Sequence, residues 1–167
     1  MSRQSIREGL VVGLIAYVTV AAFYAAFDLL AARGAFYTVD LLGKAMFRGL
    51  RDPAVLQFPL ALDLSGVFLY NAFHLVVSLA IGVVVTSLLF LAERHSGYAP
   101  LILVLIVAGF VVTVLVVGFL TVSIRPLLPW WSIVVANVLA TVAGAVYLVR
   151  HHSVWRFIPG GQRRALT

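Results

Sequence analysis

Four long apolar stretches, separated by brief polar interruptions, set the pattern of this chain. The first runs from Gly9 to Ala32 and carries no formal charge before Asp28. As a helix, 9–32 would extend about 36 Å, enough to cross a bilayer core of about 30 Å with some tilt. The second stretch, 66–92, closes on Glu93-Arg94-His95. The third, 99–122, has Pro100 in its first turn, where the missing amide would lack a partner in any case. The fourth, 129–150, opens on Pro129-Trp130-Trp131, a pair of rings suited to headgroup level. It ends on Arg150-His151-His152, cations placed at the negative end of a helix dipole. A basic tail, 151–167, follows. The predicted fold is therefore all-α, a polytopic membrane protein with a four-transmembrane-helix bundle forming one integral membrane domain over 1–167.

The links differ in kind. Those between the second and third stretches (about 93–97) and between the third and fourth (about 123–128) are short. Short links predict antiparallel neighbours, so the last three spans are expected to form a compact meander. The link between the first two spans, 33–65, is long and has its own pattern. Leu41, Leu42, Ala45, Met46 and Leu50 recur at helical spacing, while Asp40, Lys44, Arg48 and Arg51 fill much of the other face. This predicts a short interfacial amphipathic helix, either lying in the headgroup plane or closing the bundle mouth as a lid. Pro53 and Pro59 keep the segment after it out of regular helix.

Polar residues inside the apolar stretches are the informative exceptions. Counting rise from the nearest helix end places Asp28, Asn71, His74, Thr113 and Asn137 in one leaflet, on the side of the first and third links. Two readings compete for this buried polar cluster. It is a proton, ion or ligand site, or it is packing chemistry in which Asp28 turns toward Arg33 while Asn71, His74 and Asn137 satisfy one another. His74 alone could ligate haem, but it is the only histidine at that depth, so a second axial ligand would have to come from elsewhere. His95, His151 and His152 lie toward the opposite surface and read as solvated helix caps, with no metal site expected.

Small residues also fall on single faces. Gly9 and Gly13 continue the stripe of Tyr17, Ala21, Tyr24 and Asp28. Ser78 and Gly82 extend that of Asn71 and His74, and Ala140 and Gly144 accompany Asn137. Such faces let membrane helices approach closely. The third span is almost wholly Val, Leu and Ile and is expected to face lipid most fully.

Composition agrees with the pattern. Apolar residues make up 63% of the chain and charged ones 11%, and mean hydropathy is +1.09. A small water-soluble globule cannot bury that much hydrocarbon. The absence of cysteine excludes disulfides, thiolate metal sites and cysteine nucleophiles. The net charge of +6 reads as cationic flanks near lipid headgroups rather than as a nucleic-acid surface. Arg3, Arg7, Arg94, Arg150, Arg156, Arg163 and Arg164 fall on the side of the termini. Arg33, Lys44, Arg48, Arg51 and Arg125 fall on the other. This excess predicts cytoplasmic termini, in a bacterial inner membrane. Arg3 and Arg7 also suit a signal peptide, but the apolar stretch behind them exceeds the 7–15 residues of a signal core, so a retained helix is expected.

No G-x-S-x-G, H-E-x-x-H or glycine-rich phosphate loop occurs, and Ser78 with His74 lacks an orienting third group other than Asp28. No catalytic residue is assigned. The sequence reads as a non-enzymatic accessory, scaffold or assembly subunit, partnered by lipid and by other membrane subunits or copies of itself. A haem-binding electron-transfer subunit using His74, and a small proton-coupled carrier using Asp28 and His74, are the alternatives.

Overall fold

The computed structural model describes residues 3–151. The basic tail, with His152, Arg156, Arg163 and Arg164, lies outside the described residues. The elements are α1 (Arg3–Leu30), α2 (Tyr37–Phe47), α3 (Leu64–Arg94), α4 (Ala99–Leu120) and α5 (Trp130–His151). Single 3-10 turns at Ser96–Tyr98 and Val122–Ile124 lie in the two short links. The described residues are all helix and connection, and α1, α3, α4 and α5 are each long and apolar enough to cross a membrane. This is a small membrane protein of four spans with one short helix between the first two.

The helix ends follow local chemistry more closely than the apolar pattern does. Helix α1 starts at Arg3 rather than Gly9, because the polar flank is itself built of good helix formers and Gln4 bonds to Glu8 at 3.0 Å. Its other end closes by two reversed bonds, Arg33 N–H to the Asp28 carbonyl at 2.9 Å and Ala32 N–H to the Leu29 carbonyl at 3.0 Å. That is the Schellman arrangement, and it holds Ala32 at φ 55°, a position usually taken by glycine. Helix α3 starts at Leu64 rather than Gly66, since the Asp63 carboxylate accepts the amides of Ser65 and Gly66, both at 3.1 Å.

Helix α1 is the hub. It packs along α3 over most of its length and against α5, whereas α4 touches α3 and α5 only lightly. The expected meander of the last three spans is thus not how the bundle is held together. Short links fix which helices are antiparallel, but the small-residue faces fix which ones press together. A Cβ on Gly13 would lie 2.5 Å from the Ser78 carbonyl and 2.6 Å from Leu79 Cα, and one on Gly9 would lie 2.5 Å from Val83 Cα. Only glycine allows α1 and α3 to approach this closely. Ser78 and Gly82 are buried opposite, and on α5 a Cβ on Gly144 would meet Val12 at 3.3 Å, with Ala140 also buried. On α4, by contrast, only Ile102, Val114 and Gly118 are buried, and most of its other residues are exposed on the surface of the bundle.

The best-packed region lies at one end of the bundle. Tyr24 of α1, Tyr37 and Leu41 of α2, Leu56 of the following segment, and Ile124, Leu128, Ile133 and Ala136 from the last link and α5 form one buried cluster. Leu41 and Leu56 are fully buried. Helix α2 therefore closes the mouth as a lid. Its polar face is not the solvated one that the pattern implied: Asp40 and Lys44 are buried, paired with each other at 2.5 Å. Lys44 also donates to the Ala61 carbonyl, and Asp40 accepts the Asp63 amide at 2.9 Å. These bonds pin segment 61–63 against the lid and leave neither Asp40 nor Lys44 without a partner. Gly43 allows the approach, because a Cβ there would stand 2.5 Å from the Gly66 carbonyl.

Candidate functional site

The lidded end is where the polar residues from the spans gather, and their partners determine what the gathering can do. Asp28, fully buried, sits on the last turn of α1. The chain reversal at Ala32 and Gly34 brings the start of α2 back over it. Both carboxylate oxygens are used there, one accepting the Thr38 amide and the other the Thr38 hydroxyl, each at 2.7 Å. Phe36, the residue that precedes α2, offers no side-chain cap. Asp28 thus caps the lid helix from a neighbouring helix, placing its negative charge at the positive end of the α2 dipole. Arg33 does not pair with it. The guanidinium lies over the Tyr37 ring at 5.2 Å and donates to the Leu127 carbonyl at 3.3 Å, tying the end of α1 to the last link.

Asn71 and His74 are brought together, but by a tyrosine. The Tyr17 hydroxyl donates to Asn71 Oδ1 at 3.0 Å, and the Tyr17 ring meets the His74 ring edge-on at 5.3 Å. Tyr70 covers another side of the same imidazole at 5.9 Å. The Asn71 amide donates to the Val67 carbonyl of its own helix at 2.9 Å. Asn137 and Thr113 do not join this group. Asn137 donates to the Ile133 carbonyl at 2.8 Å and Thr113 to the Gly109 carbonyl at 2.8 Å, each within its own helix. The five residues that depth places in one leaflet are therefore three separate arrangements: a cap, a tyrosine-centred pair, and two side chains bonded back to their own backbone.

Several residues that build this end were not singled out by the sequence. Thr38 completes the Asp28 cap, and Ser132 meets the Tyr24 hydroxyl at 3.4 Å. Tyr37 donates to the Leu56 carbonyl at 3.2 Å, and burial pushes its hydroxyl pKa up. At the rim, Arg48 donates to Asp63 at 2.8 Å and to the Ser65 hydroxyl. The Arg48 bond, with help from Ser65 and Gly66, holds the Asp63 carboxyl far below the usual carboxylate range. The same pairing raises the pKa of Arg48. A signal for this was present, since Asp-Leu-Ser-Gly before an apolar helix is a capping pattern.

At the other surface, His151 donates to the Tyr147 carbonyl at 2.9 Å and stacks on that ring, while His95 lies edge-on to Tyr98. Among the described residues, no three of His, Asp and Glu converge as a metal site would require.

Compared with known families, with characterised proteins and with solved structures, the chain matches none.

Proposed function

We propose that this protein is a non-enzymatic accessory or assembly subunit of a membrane complex, packing laterally through its spans. One observation carries the reading. Asp28, Asn71, Thr113, Asn137 and Thr141 are each hydrogen-bonded inside the chain, to a capped helix, a tyrosine or their own backbone. A proton relay or carrier needs groups free to exchange partners during a cycle. Here the intramembrane acid is committed to holding a lid, which is a task of shape. The membrane is proposed to be a bacterial inner membrane, with the termini cytoplasmic on the arginine excess of that side.

Among the described residues His74 is the one imidazole within a span, and its neighbours are Tyr17 and Tyr70. His95 and His151 end their helices at the far surface, so among the described residues no second histidine stands near His74, and a haem there would need a non-histidine ligand or one from another chain.

The test is extraction from native membranes into nanodiscs, with mass measured on intact particles. The expected particle contains one copy or more of this 18.1 kDa chain together with a second polypeptide at fixed ratio, and shows no Soret absorbance. A particle holding this chain alone, whose reconstituted form moves protons across vesicles, would overturn the reading.

A further inference from the structure

Two hollows adjoin at the lidded end. The deeper, of about 320 Å³, is a groove on the flank of α1 lined by Ala21, Ala22 and Ala25, with Phe36 above and Tyr17 and Asn71 at its deepest level. The outer, of about 210 Å³, is lined by Arg33, Tyr37, Asp40 and Phe58, and the two share Ala35 and Phe36. The groove exists because α1 changes composition along its outward face. Leu10 and Leu14 project there nearer the N-terminus, and alanines replace them beneath the lid.

The chemistry of the two hollows differs in the order that an amphiphile would need. Tyr17 and Asn71 satisfy each other at 3.0 Å, so the floor of the groove asks no hydrogen bond of an occupant. From Ala25 down to Tyr17 the helix descends about 12 Å, all within the apolar span. A transmembrane helix about 10 Å across would occupy roughly 900 Å³ over that length, whereas the groove offers about 320 Å³, closer to a single hydrocarbon chain. Above, at the end of α1, Arg33 is half-buried and directs one N–H to Leu127. A guanidinium has five N–H donors in a planar fork suited to phosphate. The acid lining the outer hollow, Asp40, is already bound to Lys44 and to the Asp63 amide. Arg33 feels the buried Asp28 through space but touches no carboxylate among the described residues, so its guanidinium is the charged group that this hollow presents to an occupant.

We propose that this end of the protein is a phospholipid site. The phosphate of an anionic headgroup rests at Arg33, and one acyl chain descends past Phe36 into the alanine groove to the Tyr17–Asn71 pair. The site does not rest on the assembly reading, because the purified chain alone would show it.

The experiment is native mass spectrometry of purified, delipidated protein titrated with phosphatidylglycerol or phosphatidylcholine of identical chains. Phosphatidylglycerol is expected to be retained about fivefold better, the effect of one headgroup-facing arginine. Arg33→Gln should erase that preference and Arg33→Lys keep most of it. Arg51→Gln, an exposed cation at the same end outside both hollows, should leave it unchanged. Ala22→Leu, at a lipid-facing position that tolerates bulk, should weaken retention of both lipids by filling the groove. Equal retention of the two lipids by the unaltered protein would overturn the proposal. So would an Arg51→Gln effect equal to that of Arg33→Gln, or an Ala22→Leu variant that binds as before. Displacement of phosphatidylglycerol by excess glycerol phosphate would show a free-phosphate site instead, and would overturn it too.

Discussion

Asp28 is fully buried without a counter-cation touching its carboxylate, and the physical reason is that two strong donors at a helix N-terminus stand in for one. Removing the acceptor strands both Thr38 groups in an apolar place. Asp28→Ala should therefore lower stability by about 1–3 kcal/mol, with Asp28→Asn costing less because one acceptor remains. Reversible unfolding in detergent measures this, and an Asp28→Ala variant as stable as the parent would mean that the cap does not form. A few residues on, Ala32 holds a left-handed backbone that costs an L-residue about 1 kcal/mol. Ala32→Gly should stabilise the same transition by about 0.5–1 kcal/mol, whereas any loss would show that the turn is not set by backbone conformation.

At the scale of elements, the lid depends on Asp63 as the N-cap of α3 and as partner of Arg48. A carboxylate whose pKa is depressed by folding adds stability above its ordinary value near 3.8 and loses it as pH falls below that. The protein should thus weaken on acidification through that window, and Asp63→Asn, which still caps a helix, should remove that part of the pH dependence. Thermal unfolding followed from about pH 6 down to about pH 2, well below the ordinary carboxylate value, would show whether the two profiles converge in acid. The four spans were legible in the sequence because a run of apolar residues longer than any soluble strand or helix needs has one explanation. The role of α2 was not. Leu41 and Leu42 at helical spacing suit a headgroup-plane helix and a lid equally, and Asp40 with Lys44 looks like a wet face until the 61–63 segment is seen to cover it. The same holds for the polar cluster. Depth along a helix was readable, but Thr38 reaches Asp28 only because the chain reverses at Ala32 and Gly34, and Tyr17 reaches Asn71 only because α1 lies along α3.

For the whole molecule, both termini and the α3–α4 turn are expected on one surface and the lid on the other. The chain has no cysteine, so single cysteines at Gly97 and Ala54 report on the two surfaces without background. Both positions are exposed, at opposite ends of the bundle. An impermeant thiol reagent added outside right-side-out vesicles should label the Ala54 site and spare the Gly97 site until the membrane is opened. Labelling of both from one side would be incompatible with four crossings, and the reverse pattern would invert the proposed orientation.

The cluster beneath the lid draws on parts of the chain that leave the ribosome far apart in time. Tyr24, Tyr37, Leu41 and Leu56 emerge early, while Ile124, Leu128, Ile133 and Ala136 follow only after α3 and α4 have been made. The stretch from the end of α3 to Ala136 is roughly 40 residues, a few seconds of translation at ordinary speeds. During that interval α1 and α3 can already pair through their glycines, and Asp28 can already hold Thr38. The underside of the lid, however, has only half its wall. Staged insertion is the expected consequence of this chain order, in which an early hairpin would fix where the lid sits and the arrival of α5 alongside α1 would seal it.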